Sequence, residues 1–169
     1  QEHDGLVWLR PGNDDSFPMN NLVRSLKHGA QRYLWQTCWH ANVVDAMENF
    51  LDPMHTHNIH PGIVRRDQKR SRTKVRFAGT AEGFNVDYSS QAEQSGLLFR
   101  LFESRRSVER AHFAAPGSAQ IEYQYAKGGV VRISLHFTPR TQDRTDVFAI
   151  LYVEDRWAPA WAVRLFVWP

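Results

Sequence analysis

The hydrophobic positions change period along the chain, and each change marks an element. Over residues 130–138 the alternation is strict. Val131, Ile133, Leu135 and Phe137 face one way, while Arg132, Ser134, His136 and Thr138 face the other. Period two with one polar side predicts an antiparallel strand with a single buried face. Within a strand expected at 146–153, residues 147–153 are apolar on both faces, which predicts that it is central or covered on both sides. Residues 33–39 alternate large aromatics with variable positions and predict another strand. The same reasoning gives strands at 6–9, 73–79, 83–88, 111–115 and 119–125. Arg10-Pro11-Gly12-Asn13 closes the first strand as a turn, and Lys127-Gly128-Gly129 joins two strands as a hairpin.

Two segments follow the helical period instead. Across 42–51, Val43, Val44, Met47, Phe50 and Leu51 form one stripe, with Asp45 and Glu48 on the other side. Pro53 disfavours helix at Asp52, so this helix is expected to stop there. Pro53 could equally open a new turn that Asp52 caps. Residues 95–106 place Leu97, Leu98, Leu101 and Phe102 on one helical face. Residues 160–168 are apolar and aromatic around a lone Arg164, as if an amphipathic element began there and were cut off. The sum is an α+β domain: one curved antiparallel sheet with a few helices against it.

Composition narrows the class. The 169 residues are 42% hydrophobic and 23% charged, ordinary values for a globular domain with a real core. No run is long and apolar enough to span a membrane as a helix, and Gln1 to Gly5 lacks the zones of a signal peptide. Cys38 is the one cysteine, a small core filler by expectation. It rules out an internal disulfide and any cysteine-ligated cluster within this chain. A cytoplasmic, reducing compartment is the expectation. The net charge of +3 is local: residues 65–76 hold seven bases and one acid, leaving 14 bases against 17 acids elsewhere. A general nucleic-acid binder is not distributed that way. The basic run reads as a solvated loop, or as a surface that docks an acidic partner. Trp35, Met47, Phe50 and Leu51 are expected in the core, and His136 in a structural role.

The chemistry concentrates between residues 45 and 60, where His55, His57 and His60 follow Asp45, Glu48 and Asp52. Imidazoles beside a carboxylate are what a divalent transition metal binds. Three readings compete. The histidines could be plain loop residues. They could form the His-x-His-x-Asp-His loop of zinc hydrolases of the metallo-β-lactamase type, although Ile59 stands where that pattern needs aspartate. The third reading uses more of the residues.

Glu48-Asn49, then Asp52-x-x-His55-x-x-x-x-His60, resembles the iron-binding stretch in the α subunit of Rieske non-haem iron, ring-hydroxylating oxygenases. The opening Gln-Glu-His-Asp-Gly-Leu-Val-Trp-Leu also resembles the strand that leaves the Rieske domain in such chains. The resemblance implies a helix-grip fold (the START and Bet v 1 type), with residues 1–12 as exit strand and linker. Residues 13–169 would be a mononuclear-iron catalytic domain, incomplete at its C-terminus. His55 and His60 would be two ligands of Fe(II), and a later aspartate, beyond Pro169, the third. Asp52 would bridge electron transfer from a [2Fe–2S] cluster in a neighbouring subunit of a homotrimer. NAD(P)H would supply electrons through a reductase or ferredoxin. Asn49, Phe50, Leu51, Met54 and Ile59 would contact an apolar substrate, aromatic or sterol-like, that reacts with O₂ by hydroxylation or desaturation. A helix-grip domain that binds a hydrophobic ligand without catalysis is the alternative.

Overall fold

The computed structural model describes residues 2–9, 21–24, 31–52, 74–89 and 106–154. The expected turn at 10–13, the helix over 95–105, the segment 160–168 and the histidine loop lie outside the described residues.

The described strands are β1 (Glu2–His3), β2 (Leu6–Val7), β3 (Gln31–Trp39), β4 (Lys74–Gly79), β5 (Gly83–Ser89), β6 (Arg106–Ala114), β7 (Ser118–Tyr125), β8 (Val130–Thr141) and β9 (Arg144–Glu154). The helices are α1 (Asn21–Arg24) and α2 (Val43–Leu51). β1 and β2 pair with each other. The other seven strands form one antiparallel sheet in the order β3-β9-β8-β7-β6-β5-β4. Strands therefore neighbour in sequence order except at β3, which closes onto β9. β9 is interior and almost wholly buried, as its two apolar faces require.

Several boundaries differ from expectation. β6 starts at Arg106, so that residue is in a strand rather than ending a helix. Its polar first half, Arg106-Ser107-Val108-Glu109-Arg110, hides a strand whose partner is β7 across a register shift between Arg106 and Val108. β8 runs past Thr138 through Pro139 to Thr141, with a bulge after the proline. A bulge is where a sheet tolerates a residue without N–H. The hairpin between β7 and β8 turns on Gly128 and Gly129, at φ +94° and +92°, a region nearly closed to side chains.

The core lies between α2 and one face of β7, β8 and β9. Ala46 is 1% exposed and meets Ala119, Leu135, Phe137, Val147 and Ala149. A small residue there lets the helix sit close to the sheet, and Val43, Met47 and Phe50 pack around it. Val44, expected on that stripe, is 54% exposed. The sheet-facing positions are 43, 46, 47 and 50, which turns 44 aside. Trp35, expected in the core, is 37% exposed because β3 is an edge strand. Cys38 is half-buried there.

The opposite face of β8 is also closed, against the single-buried-face expectation: Ser134 is 1% and His136 6% exposed. The β1–β2 hairpin explains part of it. The Trp8 ring meets His136 edge-on at 4.6 Å, and Leu6 packs on Ile150 and Tyr152. Asp4 ties the hairpin down by accepting hydrogen bonds from Tyr152 Oη, at 3.0 Å, and from Arg32. Most polar groups beneath pair across strands, while His136 Nε2 has no hydrogen-bond partner among the described residues. Gln120 donates to Ser134 at 2.8 Å, Arg132 to Glu122 at 2.7 Å, and Ser118 bonds His136 Nδ1 at 2.9 Å.

Candidate functional site

Helix α2 is fixed at both ends. Asn42 caps its start, accepting from the Val44 and Asp45 N–H groups at 3.0 Å each. The buried Thr145 hydroxyl donates to the Ala41 carbonyl at 3.0 Å, tying that start to β9. The helix ends where Pro53 requires: Asp52 is extended (φ −74°, ψ 107°) and its N–H donates to the Glu48 carbonyl at 2.9 Å. Across the gap, the Tyr88 hydroxyl of β5 donates to the Leu51 carbonyl at 3.4 Å. Burial, then the charges of Glu109 and Asp52, raise the Tyr88 pKa above its ordinary value. Tyr88 therefore stays a protonated donor to one of the carbonyls at the helix end, which have no partner within the helix.

Between α2 and the sheet lies a cleft of about 760 Å³. Its sheet wall is Phe84 and Phe113, stacked with centroids 5.2 Å apart. Phe77 of β4 continues the row at 5.3 Å from Phe84. Gly83 makes this possible, since a Cβ there would collide with the Phe113 carbonyl. The helix wall supplies the apolar Val44, Met47 and Leu51 and the polar Asp45, Glu48, Asn49 and Asp52.

Of the residues singled out in the sequence, Asp52, Asn49 and Leu51 come together at this cleft. Phe50 instead turns toward the core, its ring 6.3 Å from that of Phe137. Met54, His55, His57, Ile59 and His60 lie outside the described residues. The sequence reading missed Phe84, Phe113 and Tyr88. Phe84, Val86 and Tyr88 share a period-two face, which was a usable signal, but the pairing of β5 with β6 was not.

Among the described residues, no group of three or more histidine, cysteine, aspartate or glutamate side chains could hold a metal ion. Two of the described histidines are engaged elsewhere. His112 bonds Asn85 and His136 bonds Ser118, on the sheet face opposite α2, and burial lowers both pKa values. Glu154, a late carboxylate, receives a hydrogen bond from Arg132. Asp52 ends helix α2 among the residues lining the cleft, and three histidines, His55, His57 and His60, follow it in the sequence. No described helix is long and apolar enough to cross a membrane.

Comparison with known proteins places the chain in a family. The sequence profile of the vanillate O-demethylase oxygenase C-terminal domain matches residues 39–163. Dicamba monooxygenase bound to dicamba superposes with a TM-score of 0.71 at 12% identity, over 89% of this chain and 48% of that one. An NdmA variant of Pseudomonas putida CBB5 with theobromine gives 0.62 at 15% identity, over 89% and 41%. NdmB of the same organism gives 0.63 at 16%, over 81% and 37%. The chain thus spans less than half the length of each. At these identities the structures speak for the fold, which is the helix-grip α+β type. No curated protein sequence matches. The profile covers well over half of the 169 residues, and the chain belongs to the C-terminal, catalytic-domain family of the Rieske oxygenases.

Proposed function

We propose that the chain is the catalytic part of an oxygenase that uses dioxygen at a mononuclear Fe(II) held by His55 and His60. The substrate is apolar, aromatic or sterol-like, and is hydroxylated or desaturated. The observation that carries this is the position of Asp52, at the end of α2 and on the lip of the aromatic-walled cleft. Covalent geometry keeps the His55 Cα within about 11 Å of the Asp52 Cα, whatever the path between them.

Ferrous iron, when bound, supplies the redox chemistry that no side chain provides. The chain's residues do the rest. Asp52 accepts a hydrogen bond from the free ring nitrogen of a ligand imidazole, which fixes its tautomer and orientation. Its carboxylate would also be the contact toward a [2Fe–2S] domain, which would supply electrons from NAD(P)H by way of a reductase or ferredoxin. Met47, Leu51, Phe84 and Phe113 take up the substrate and keep water from it. Tyr88 holds the helix end from which the ligand loop departs. Residues 1–12 serve as the exit from a preceding domain. The hairpin anchored through Asp4 and Trp8 would hold that domain near the outer face of β8 and β9. A homotrimer is the assembly in which Asp52 meets a neighbour's cluster.

Metal analysis after anaerobic loading tests the proposal. Two histidines alone would hold iron weakly and the fragment is expected to be inactive by itself; with the third ligand also present, one equivalent of iron is expected, lost in His55→Ala and in His60→Ala. Stoichiometric zinc that disappears in His57→Ala would favour a hydrolase. Retention of a hydrophobic ligand with no iron dependence would favour a binding domain.

A further inference from the structure

Strand β4 ends the seven-stranded sheet, and all six of its residues are exposed. An edge strand turns the N–H and C=O of every second residue outward, where another strand can pair with them. The two faces of β4 differ in kind. Val75 and Phe77 stand opposite Tyr88 and Val86, on the face that carries Phe84 and the cleft. They are 60% and 65% exposed, although the Phe77 ring already meets that of Phe84 at 5.3 Å. Lys74 and Arg76 stand opposite Ser89 and Asp87, on the other face. Asp87 is engaged by Arg110 of β6, and among the described residues neither Lys74 nor Arg76 forms an ion pair. In the sequence these two close the basic run 65–76.

We propose that the outer edge of β4 takes up an extended segment of a partner protein in which acidic and apolar residues alternate. Residues opposite one another in paired strands share a face. The acids of such a segment fall beside Lys74 and Arg76, while its apolar residues cover Val75 and Phe77. Backbone pairing then supplies affinity and the alternation supplies specificity. Two other occupants fit less well. A second copy paired antiparallel about a two-fold axis would gather two lysines and two arginines on one face. A membrane surface needs bases and apolar groups on the same side, whereas β4 sets them on opposite sides. The inference uses neither the cleft nor the histidine loop, so it is independent of the oxygenase reading.

Charge sets the size of the effect. An acid 4 Å from either base is worth about fivefold in affinity in a water-like dielectric, and exposed pairs commonly give less. A base in the acid's place turns that gain into a loss of similar size, and salt weakens both.

The test is equilibrium binding of three labelled eight-residue peptides to the full chain. One repeats glutamate-valine four times, one repeats lysine-valine four times, and one has four glutamates followed by four valines. The first is expected to bind at least tenfold tighter than the second and at least threefold tighter than the third, with both gaps narrowed by 1 M salt. Arg76→Glu, an exposed substitution, should shrink the first gap or reverse it. At saturation with the first peptide, hydrogen exchange of alternate amides in 74–79 should slow about fivefold, with the interior strands β8 and β9 unchanged. No binding, or equal binding of the glutamate-valine and lysine-valine peptides, overturns the proposal. Equal binding of the alternating and block peptides, or binding that leaves exchange in 74–79 unaltered, overturns pairing at this edge. Phosphatidylserine vesicles that displace the peptide would make the occupant a membrane, and self-association that the peptide dissolves would make it a second copy; either overturns the assignment. The peptide ratios are read on the unaltered chain, so they hold even where Arg76→Glu fails to fold.

Discussion

His136 shows how a single side chain reports the packing around it. Burial beneath Trp8 pushes its pKa down to about 4, opposed by the charge of Asp4. Above pH 6.5 the ring is neutral in both folded and unfolded chains, and stability is at its full value. As pH falls from 6.5 toward 4, the unfolded chain takes up a proton that the folded one refuses. About 3 kcal/mol is therefore lost across that window. Thermal melts from pH 7 to 4 should show the loss, and it should be smaller in His136→Gln. Equal pH profiles for the two proteins would mean that His136 is not held neutral. At the catalytic end, Asp52→Asn keeps shape but removes charge. In a reductase-supplied assembly, turnover should drop 10- to 100-fold with iron content unchanged. A variant with normal turnover would remove Asp52 from electron delivery.

At the scale of elements, the helix was the most legible feature. The 3.6 period over 42–51, Asn42 at its start and Pro53 past its end gave α2 nearly to the residue. Asn42→Ala should cost about 1 kcal/mol through two lost cap bonds. A thermal midpoint unchanged within error would contradict that role. β9 was equally clear, because apolar residues on both of its faces state that both are covered; β8 was legible as a strand, but the cover on its polar face was not. β6 was not, since its first half is polar: Arg110 pairs with Asp87, and Arg106 lies over the Tyr123 ring, 3.6 Å from its centre. Residues that satisfy each other across strands look like a loop when read one strand at a time. Phe137, touching both Trp39 and Phe50, joins α2 to the sheet. Phe137→Ala should destabilise the fold by about 3–5 kcal/mol, read by denaturant melts. A cost below 1 kcal/mol would mean that α2 docks by other contacts.

At the scale of the molecule, the sequence carried the family and the sheet but not the cleft. Asn49, Leu51 and Asp52 could be nominated because they adjoin the histidines. Phe84 and Phe113 could not, because they lie more than thirty residues further along and reach the cleft only through the β5–β6 register. Long-range pairing of this kind is set by the whole sheet rather than by local pattern. The account as a whole depends on ferrous iron at His55 and His60. Its most direct test is the electron paramagnetic resonance signal of the Fe(II)–nitrosyl adduct, formed anaerobically on the full chain. The account predicts a signal proportional to bound iron that vanishes in His55→Ala and in His60→Ala. No signal with iron supplied, or one that survives both substitutions, would contradict it.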